Sequence, residues 1–350
     1  MRVVIDARRL QDRPLTGAGR WLANLVPLLA AQTPVVLLTD GRRHPVPSPV
    51  DQEALWVAPR LPEVFWLQGS AARWLWSHEG LFHGTFNAVP FACRRPVVVT
   101  IFDLSFEHHP EDFSAAKRAL FSAQARWSAR RAAMVITISD HARSAIVEAY
   151  GVDPDRVVVA PPSVDPVFLN APSAHDFLAA HGVKGPYLVA IGGAPRRGLR
   201  VAVAAWKRLR ADGLDVDLVV GGAEDPGRAP GLIYVGRVGD SDWAGVLKGA
   251  SALCYPTRFE GYGMPALEAA ACGVPVVCGR IGPLPEVLGD AAEWCDPTKP
   301  QSVADALARV VSDSGRHRDL RDAGLARAAA APTWASSAEV VLNAYRRAGL

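Results

Sequence analysis

The stretch YPTRFEGYGMPALEAAACGVPVVCGRIGPLPEVLGD, Tyr255 to Asp290, decides how the chain is read. It continues a short β-rich run, ALCYP (252–256), into a bend where Gly261 and Gly263 allow backbone conformations that a side chain forbids and let a ligand approach closely. Pro265 stands where a first helical residue belongs, because its missing N–H costs nothing there. Gly273 supplies the stop. The expected helix leaves the amides of Ala266, Leu267 and Glu268 without acceptors at the positive end of a helix dipole, which makes an anion site. Glu260 ahead of it and Glu268 one turn in would repel a bare phosphate, so both need hydrogen-bond donors from the same ligand. Sugar hydroxyls are such donors. The pattern therefore asks for a phosphate flanked by two polyols: ribose, diphosphate, hexose. Either glutamate alone reads first as a favourable first-turn charge worth about 0.3–1 kcal/mol. Their combination at a strand end points to a ligand.

Outward from this segment, short β-rich runs alternate with helical patterns almost throughout, which predicts βαβ units and parallel sheets. Strands are expected at 2–6, 35–39, 81–84, 97–101, 134–139 and 157–160, with helices at Arg20–Leu29, Ser114–Arg131 and Asp140–Tyr150. The turn-rich run from Pro161 to Pro186 interrupts the alternation and reads as the linker. The pattern restarts with strands at 187–191, 216–221, 232–236, 252–256, 274–278 and 292–295 and a helix over Leu199–Ala211. Two helical segments, Gln301–Ser312 and about Thr333–Arg347, close the chain. The fold class is α/β, two doubly wound Rossmann-like domains facing across a cleft. Expected domains are 1–170 on the acceptor side, 171–332 for the nucleotide sugar, and 333–350 as a helix crossing back to the first.

The 350 residues are 49% hydrophobic and 21% charged. This excludes a disordered chain, a fibrous repeat and a disulfide-stapled miniprotein. With 38 Lys+Arg against 35 Asp+Glu, no stripe of positive charge demands a nucleic-acid partner. Cys93, Cys254, Cys272, Cys278 and Cys295 form no CxxC and no metal-ligand spacing, which fits reduced thiols in a cytoplasmic protein. The most apolar stretch, Leu25–Leu38, is broken by Pro27, Gln32 and Pro34, so neither a signal peptide nor a membrane span is expected.

The FEGYGMPALEAAACGVPVV context, with two glutamates separated by seven residues, resembles the signature of the retaining glycosyltransferases of the GT-B fold, family four. The resemblance extends to IDARRL, TGAGRW, LFHGTFN, VTIFDLSF, ITISDHAR, VVVAPPSVD and PLPEVLGDAA, and so spans most of the chain. It implies that Glu260 contacts hydroxyls of the donor sugar, that Glu268 holds the ribose, and that backbone groups of Gly261, Tyr262, Gly263, Met264, Pro265, Ala266 and Leu267 bind sugar and phosphate. In IGGAPRRGL (191–199), Gly193 and the cations Arg196 and Arg197 fall where the family neutralises the diphosphate, Arg197 taking a lysine position. A water-facing Arg196 stands beside that reading. The Gly17 amide of TGAGRW is expected within reach of the diphosphate; a plain glycine turn is the other reading. Leu22 stands where a third glycine would be needed for a dinucleotide fingerprint, so an oxidoreductase is not indicated. Main-chain groups near Gly236 and Val238 would pair with the nucleobase.

The sequence departs from the family at Phe102, where many relatives have His. Either its backbone carbonyl alone is used, or the side-chain role passes to Asp103, His83 or His141, or activity is reduced. Asp103 reads equally as a strand-end turn residue. Trp56, Trp66, Trp74 and Trp76 line an acceptor channel or pack a core. The cations Lys117, Arg118, Arg126, Arg130 and Arg131 face water or anionic lipid. Asp153-Pro-Asp155 lies in a turn of the first half, so no Asp-x-Asp motif stands at a strand end of the second. The expectation is a metal-independent transfer of a hexose from a UDP- or GDP-linked donor to the hydroxyl of a sugar, a lipid-linked saccharide or a small molecule, without cofactor. Its setting would be cell-surface polysaccharide, glycolipid or natural-product glycoside synthesis, with peripheral contact at the inner membrane face left open. A nucleotide-sugar epimerase of the same fold and a catalytically impaired nucleotide-sugar-binding protein are the rivals.

Overall fold

The computed structural model describes residues 2–46, 48, 50–55 and 62–350. They form two compact units, Met1–Pro162 with Pro332–Leu350, and Ser163–Ala331. Residues 163–170, which the sequence reading attached to the first domain, lie in the second unit, where Cys272 Sγ sits 3.4 Å from the Phe168 carbonyl oxygen.

The first unit is built on strands β1 (Val3–Asp6), β2 (Val35–Asp40), β3 (Gln52–Leu55), β4 (Leu81–Gly84), β5 (Val97–Thr100), β6 (Met134–Thr137) and β7 (Val157–Val159). All pairings are parallel, in the order β3-β2-β1-β4-β5-β6-β7. Every residue of β1, β2, β4, β5 and β6 is buried, which is why these strands read as largely apolar runs. Edge strand β3, QEAL, is largely exposed and carries no such signal, so it was not foreseen. Helices α1 (Gly17–Ala30), α2 (Ala115–Arg131) and α3 (Asp140–Tyr150) follow the expected pattern. Each has a side-chain N-cap, from Thr16, Ser114 and Ser139.

The second unit carries β8 (Tyr187–Gly192), β9 (Asp217–Gly222), β10 (Leu232–Gly236), β11 (Ala252–Tyr255), β12 (Val276–Gly279) and β13 (Ala292–Cys295), again all parallel. Their order is β10-β9-β8-β11-β12-β13. The chain starts at β8, builds outward on one side, then returns to place β11 on the other. The strand order therefore reverses between β8 and β11, and in open α/β sheets the crevice at the carboxyl ends of such a pair is where ligands bind.

Around this sheet lie α4 (Leu199–Ala211), α5 (Asp240–Lys248), α6 (Met264–Ala271), α7 (Pro300–Ser312) and α8 (Ser314–Ala329). Helix α8, SGRHRDLRDAGLARAA, has no apolar stripe and was not expected. Asp313 starts it by accepting the amides of Gly315 and Arg316 at 2.8 and 3.0 Å. Gly324 lets it approach α6 closely, since a Cβ there would lie 3.3 Å from that of Ala270.

The last helix, α9 (Trp334–Arg347), belongs to the first unit. A reciprocal cap between Thr333 and Ser336 starts it. It buries Val341, Leu342 and Tyr345, each worth roughly 1.5–3 kcal/mol of apolar burial. Ser337 Oγ donates to the Pro161 carbonyl at 2.6 Å, fastening the helix beside the end of the seventh-strand segment.

Candidate active site

The loops after β8 and β11 are fastened to each other. After β8 the chain makes a single helical turn, Pro195–Arg197, closed by Gly198 at φ 73°. The Arg258 amide donates to the Arg196 carbonyl at 2.8 Å. Thr257, fully buried, donates its hydroxyl to the Phe259 carbonyl at 3.0 Å and lies 3.4 Å from the Arg196 oxygen. These bonds fix the backbone on both sides of the point where strand order reverses.

Tyr255, the last residue of β11, gathers the charged candidates. It is 1% exposed, and its hydroxyl donates to Oε1 of Glu260. Burial is the main influence holding that hydroxyl well above the usual tyrosine range, followed by the Glu260 carboxylate. Arg197 opposes the shift and Glu268 adds to it, so both also lie within electrostatic reach of this hydroxyl. The Tyr255–Glu260 hydrogen bond is thus the direct contact, and Arg197 and Glu268 act on the same hydroxyl through their charges. Arg196 contributes its carbonyl to the loop-to-loop clasp.

The start of α6 differs from expectation by one residue, with consequences. Gly263, at φ 102°, is its N-cap and Met264 its first residue, so Pro265 is second. The Gly263 carbonyl accepts the amides of Ala266 and Leu267 at 3.0 and 3.2 Å. Those two amides are not open to an anion, and that of Glu268 lies beyond the first turn. The amides of Gly263 and Met264 instead have no hydrogen bond among the described residues. Gly263 is also sterically required, since a Cβ would lie 2.4 Å from Leu284 Cδ2. Gly261 and Met264 are partly buried, while the side chain of Tyr262 is buried. Burial, then Glu286, pushes its hydroxyl up to about 12.

Other expected donor contacts are placed as follows. The Gly193 amide, expected to face the donor, points to Oε2 of Glu224 at 3.4 Å, and the Arg197 guanidinium folds across the Gly193 Cα. Gly236 ends β10 in a left-handed conformation, φ 69°, with open space where a Cβ would be. Val238 beyond it is partly buried and Arg237 exposed. In the first unit, Gly17 is the first residue of α1 rather than part of a free loop. Gly19 is the sterically constrained glycine, its missing Cβ lying 2.6 Å from the Arg9 carbonyl oxygen.

His83 is a correction. It is completely buried, with Nδ1 2.7 Å from the Tyr345 hydroxyl and Nε2 2.7 Å from Thr100 Oγ1. Burial pushes its pKa down to about 3 against the pull of Asp6, so it is a neutral core histidine and not an acceptor-side group. Asp103 takes the turn role, its Oδ1 accepting the Ser105 amide at 2.8 Å. Phe102 packs edge-on against Trp21 at 5.4 Å. Trp66 is core, donating to the carbonyls of Thr39 and Leu55. Trp74 stacks on His78, and Trp76 is 61% exposed. Trp56 lies outside the described residues. The five cations of α2 are all exposed.

Sequence reasoning missed Tyr255, Thr257, Gly198 and Glu224 in the second unit. The one available signal for Tyr255 was a hydroxyl ending an otherwise apolar strand. In the first unit it missed the buried pair of Arg8 and Asp6, 2.7 Å apart, at the end of β1. Burial works to raise the Asp6 carboxyl, but Arg8 holds it below the ordinary range. Among the described residues no group of three or more His, Cys, Asp or Glu side chains is arranged to hold a metal, and no helix is long and apolar enough to cross a membrane.

Two parallel sheets of this kind, each wrapped by helices, with loops gathered where strand order reverses, define a two-domain α/β protein of the GT-B fold. The fold matches sucrose-phosphate synthase of Thermosynechococcus elongatus, with TM-score 0.78, 18% identity and 99% and 98% of the two chains covered. It also matches HepE of Anabaena, solved with UDP and glucose, with TM-score 0.75, 16% identity and 98% of each chain covered. Residues 15–168 match Glycosyltransferase Family 4 and residues 185–313 match Glycosyl transferases group 1. Among curated proteins, the O-antigen chain mannosyltransferase B of Escherichia coli is 27% identical over 76% of this chain and 74% of its own length. The D-inositol 3-phosphate glycosyltransferase of Stackebrandtia nassauensis is 31% identical over 80% of this chain and 66% of its own length. The MMP α-(1→4)-mannosyltransferase of Mycolicibacterium hassiacum is 29% identical over 63% of this chain, which spans only 55% of that protein. The chain belongs to the family four, group 1 glycosyltransferases.

Proposed function

We propose that this glycosyltransferase moves a hexose from a UDP- or GDP-linked donor to an acceptor hydroxyl, with retention at the anomeric carbon and without a bound metal. The observation that carries the reading is the Tyr255–Glu260 hydrogen bond where the strand order reverses between β8 and β11, with the charges of Arg197 and Glu268 felt at the same hydroxyl. A guanidinium and two carboxylates there suit a diphosphate between two hydroxylated rings. Glu268 takes ribose hydroxyls and Glu260 hexose hydroxyls. The open amides of Gly263 and Met264, with Arg197, offset the charge that develops on the departing diphosphate. The acceptor oxygen bonds to the anomeric carbon as the bond from that carbon to the phosphate oxygen breaks. The acceptor proton passes to the leaving phosphate oxygen. Glu260 holds the hexose still during the exchange.

Two curated relatives named as mannosyltransferases, and a structural neighbour solved with UDP and glucose, support a hexose of the manno or gluco series. The O-antigen chain enzyme supports a polysaccharide or lipid-linked saccharide as acceptor. The five exposed cations of α2, a helix with no carboxylate in its sequence, support peripheral contact with anionic headgroups.

The test is thermal unfolding in EDTA against UDP-glucose, UDP-galactose, UDP-N-acetylglucosamine and GDP-mannose, followed by proton NMR of the anomeric signal of the product. One nucleotide sugar should raise Tm and yield a product of the donor's own configuration. A protein that none of the four stabilises, or a product of inverted configuration, would refute the reading.

A further inference from the structure

Four residues, Pro256, Thr257, Arg258 and Phe259, separate Tyr255 from Glu260. Tyr255 closes a strand paired on both sides, to β8 and to β12, where it stands opposite Cys278. The loop that carries Glu260 leaves this strand and folds back at once, the Thr257 amide donating to the Tyr255 carbonyl at 2.8 Å. Its next residues are clasped to the β8 turn through Arg196. The fold-back returns the Glu260 carboxylate over the end of its own strand, onto the Tyr255 hydroxyl.

A phenylalanine would fill the same buried volume. The hydroxyl is the costly part, because a polar group taken out of water must find a strong partner. Here its acceptor is a carboxylate, the kind of bond that is both stronger and more directional than one between neutral groups. One carboxylate oxygen of Glu260 is thereby fixed by the sheet, and the orientation of the whole group about its last torsion follows.

We infer that Tyr255 is the positioning residue for Glu260: its strand-anchored hydroxyl aims the carboxylate at the hexose while contacting no substrate itself. The inference rests on the role proposed for Glu260. The nucleotide half of the donor, held by Glu268 and the start of α6, does not depend on this bond. Aim therefore governs turnover and leaves nucleotide binding alone.

The experiment compares wild type, Tyr255→Phe, Glu260→Gln and the double variant, using hydrolysis or transfer of GDP-mannose or UDP-glucose, whichever the wild type turns over. The matching nucleoside diphosphate is titrated separately, and Tm is recorded for each protein. Tyr255→Phe should lower kcat about ten- to a hundredfold, as expected when one hydrogen bond to a charged group is lost. KM and nucleoside diphosphate affinity should stay within about twofold of wild type. Adding it to Glu260→Gln should cost less than it costs alone, because the two act as a unit. Wild-type kcat in Tyr255→Phe alongside a loss in Glu260→Gln would overturn this inference and leave the role of Glu260 standing. Parallel losses of Tm and nucleoside diphosphate affinity in Tyr255→Phe would also overturn it, since they mark a packing role. Wild-type kcat in Glu260→Gln would remove the underlying reading itself.

Discussion

Gly198 meets Pro256 backbone to backbone: a Cβ on Gly198 would lie 2.2 Å from the Pro256 carbonyl oxygen. This contact joins the turn after β8 to the loop after β11, and the φ of 73° at Gly198 suits glycine as well. Gly198→Ala should therefore cost about 2 kcal/mol from strain and lower Tm by roughly 4–8 °C. Because Arg197 precedes it, kcat should fall too. An unchanged melting curve would show that the two loops yield more readily than their geometry indicates.

The two glutamates should separate kinetically. If Glu268 holds the ribose as proposed, Glu268→Ala removes a contact made equally to bound donor and transition state, so KM should rise about tenfold with kcat little changed. On the proposed role of Glu260 at the hexose, Glu260→Ala should lower kcat about a hundredfold or more. Steady-state kinetics with the preferred donor decides the matter, and identical effects from both would contradict the division of labour.

Charge on the leaving diphosphate is assigned to Arg197 and the first amides of α6. Arg197→Ala should lower kcat by about two to three orders of magnitude, the scale seen when one preorganised charge-stabilising group is lost. Arg197→Lys should recover part of it, keeping the charge without the planar fork. Dialysis against EDTA should leave wild-type kcat unchanged. Loss of activity on chelation, restored by manganese or magnesium, would place a metal in the reaction.

His83 predicts a pH dependence. Its folded pKa of about 3 lies below the ordinary histidine value of 6.5, so the unfolded chain binds the extra proton first. The stability it confers is fully present above about pH 6.5 and is lost as pH falls toward 3, by up to about 1.4 kcal/mol per pH unit. Chemical denaturation of wild type and His83→Gln at pH 7.5, 6 and 4.5 should show the steeper decline in wild type. Parallel curves would mean that His83 is not buried in the neutral state.

The sheets were legible because strands buried on both faces are mostly apolar, as VVID, VVLLT and VVVT are, each with its polar residue at the carboxyl end. Edge strand QEAL and helix α8 were not, since an exposed edge and a helix packed through Gly324 and Ala328 leave no periodic stripe. At the site, residue types and spacing single out Glu260 and Glu268 as candidates, and the family resemblance adds Arg197. Spacing could not reveal that the Gly263 carbonyl closes the amides of Ala266 and Leu267, because moving a helix start by one residue changes which donors are open. His83 was misread for another reason. Its partner Tyr345 lies 262 residues away, and only the folded chain shows that the ring is satisfied.

The unit Ser163–Ala331 is one continuous segment, whereas the other is assembled from both ends of the chain. On the ribosome, every residue around Glu260 and Arg197 emerges before α9, so the second-encoded unit is the first to be complete. His83 and its neighbours must wait for Tyr345 until α9 has emerged. A transcript truncated just ahead of Pro332 would still encode the whole of the second unit and would leave its companion without a closing layer.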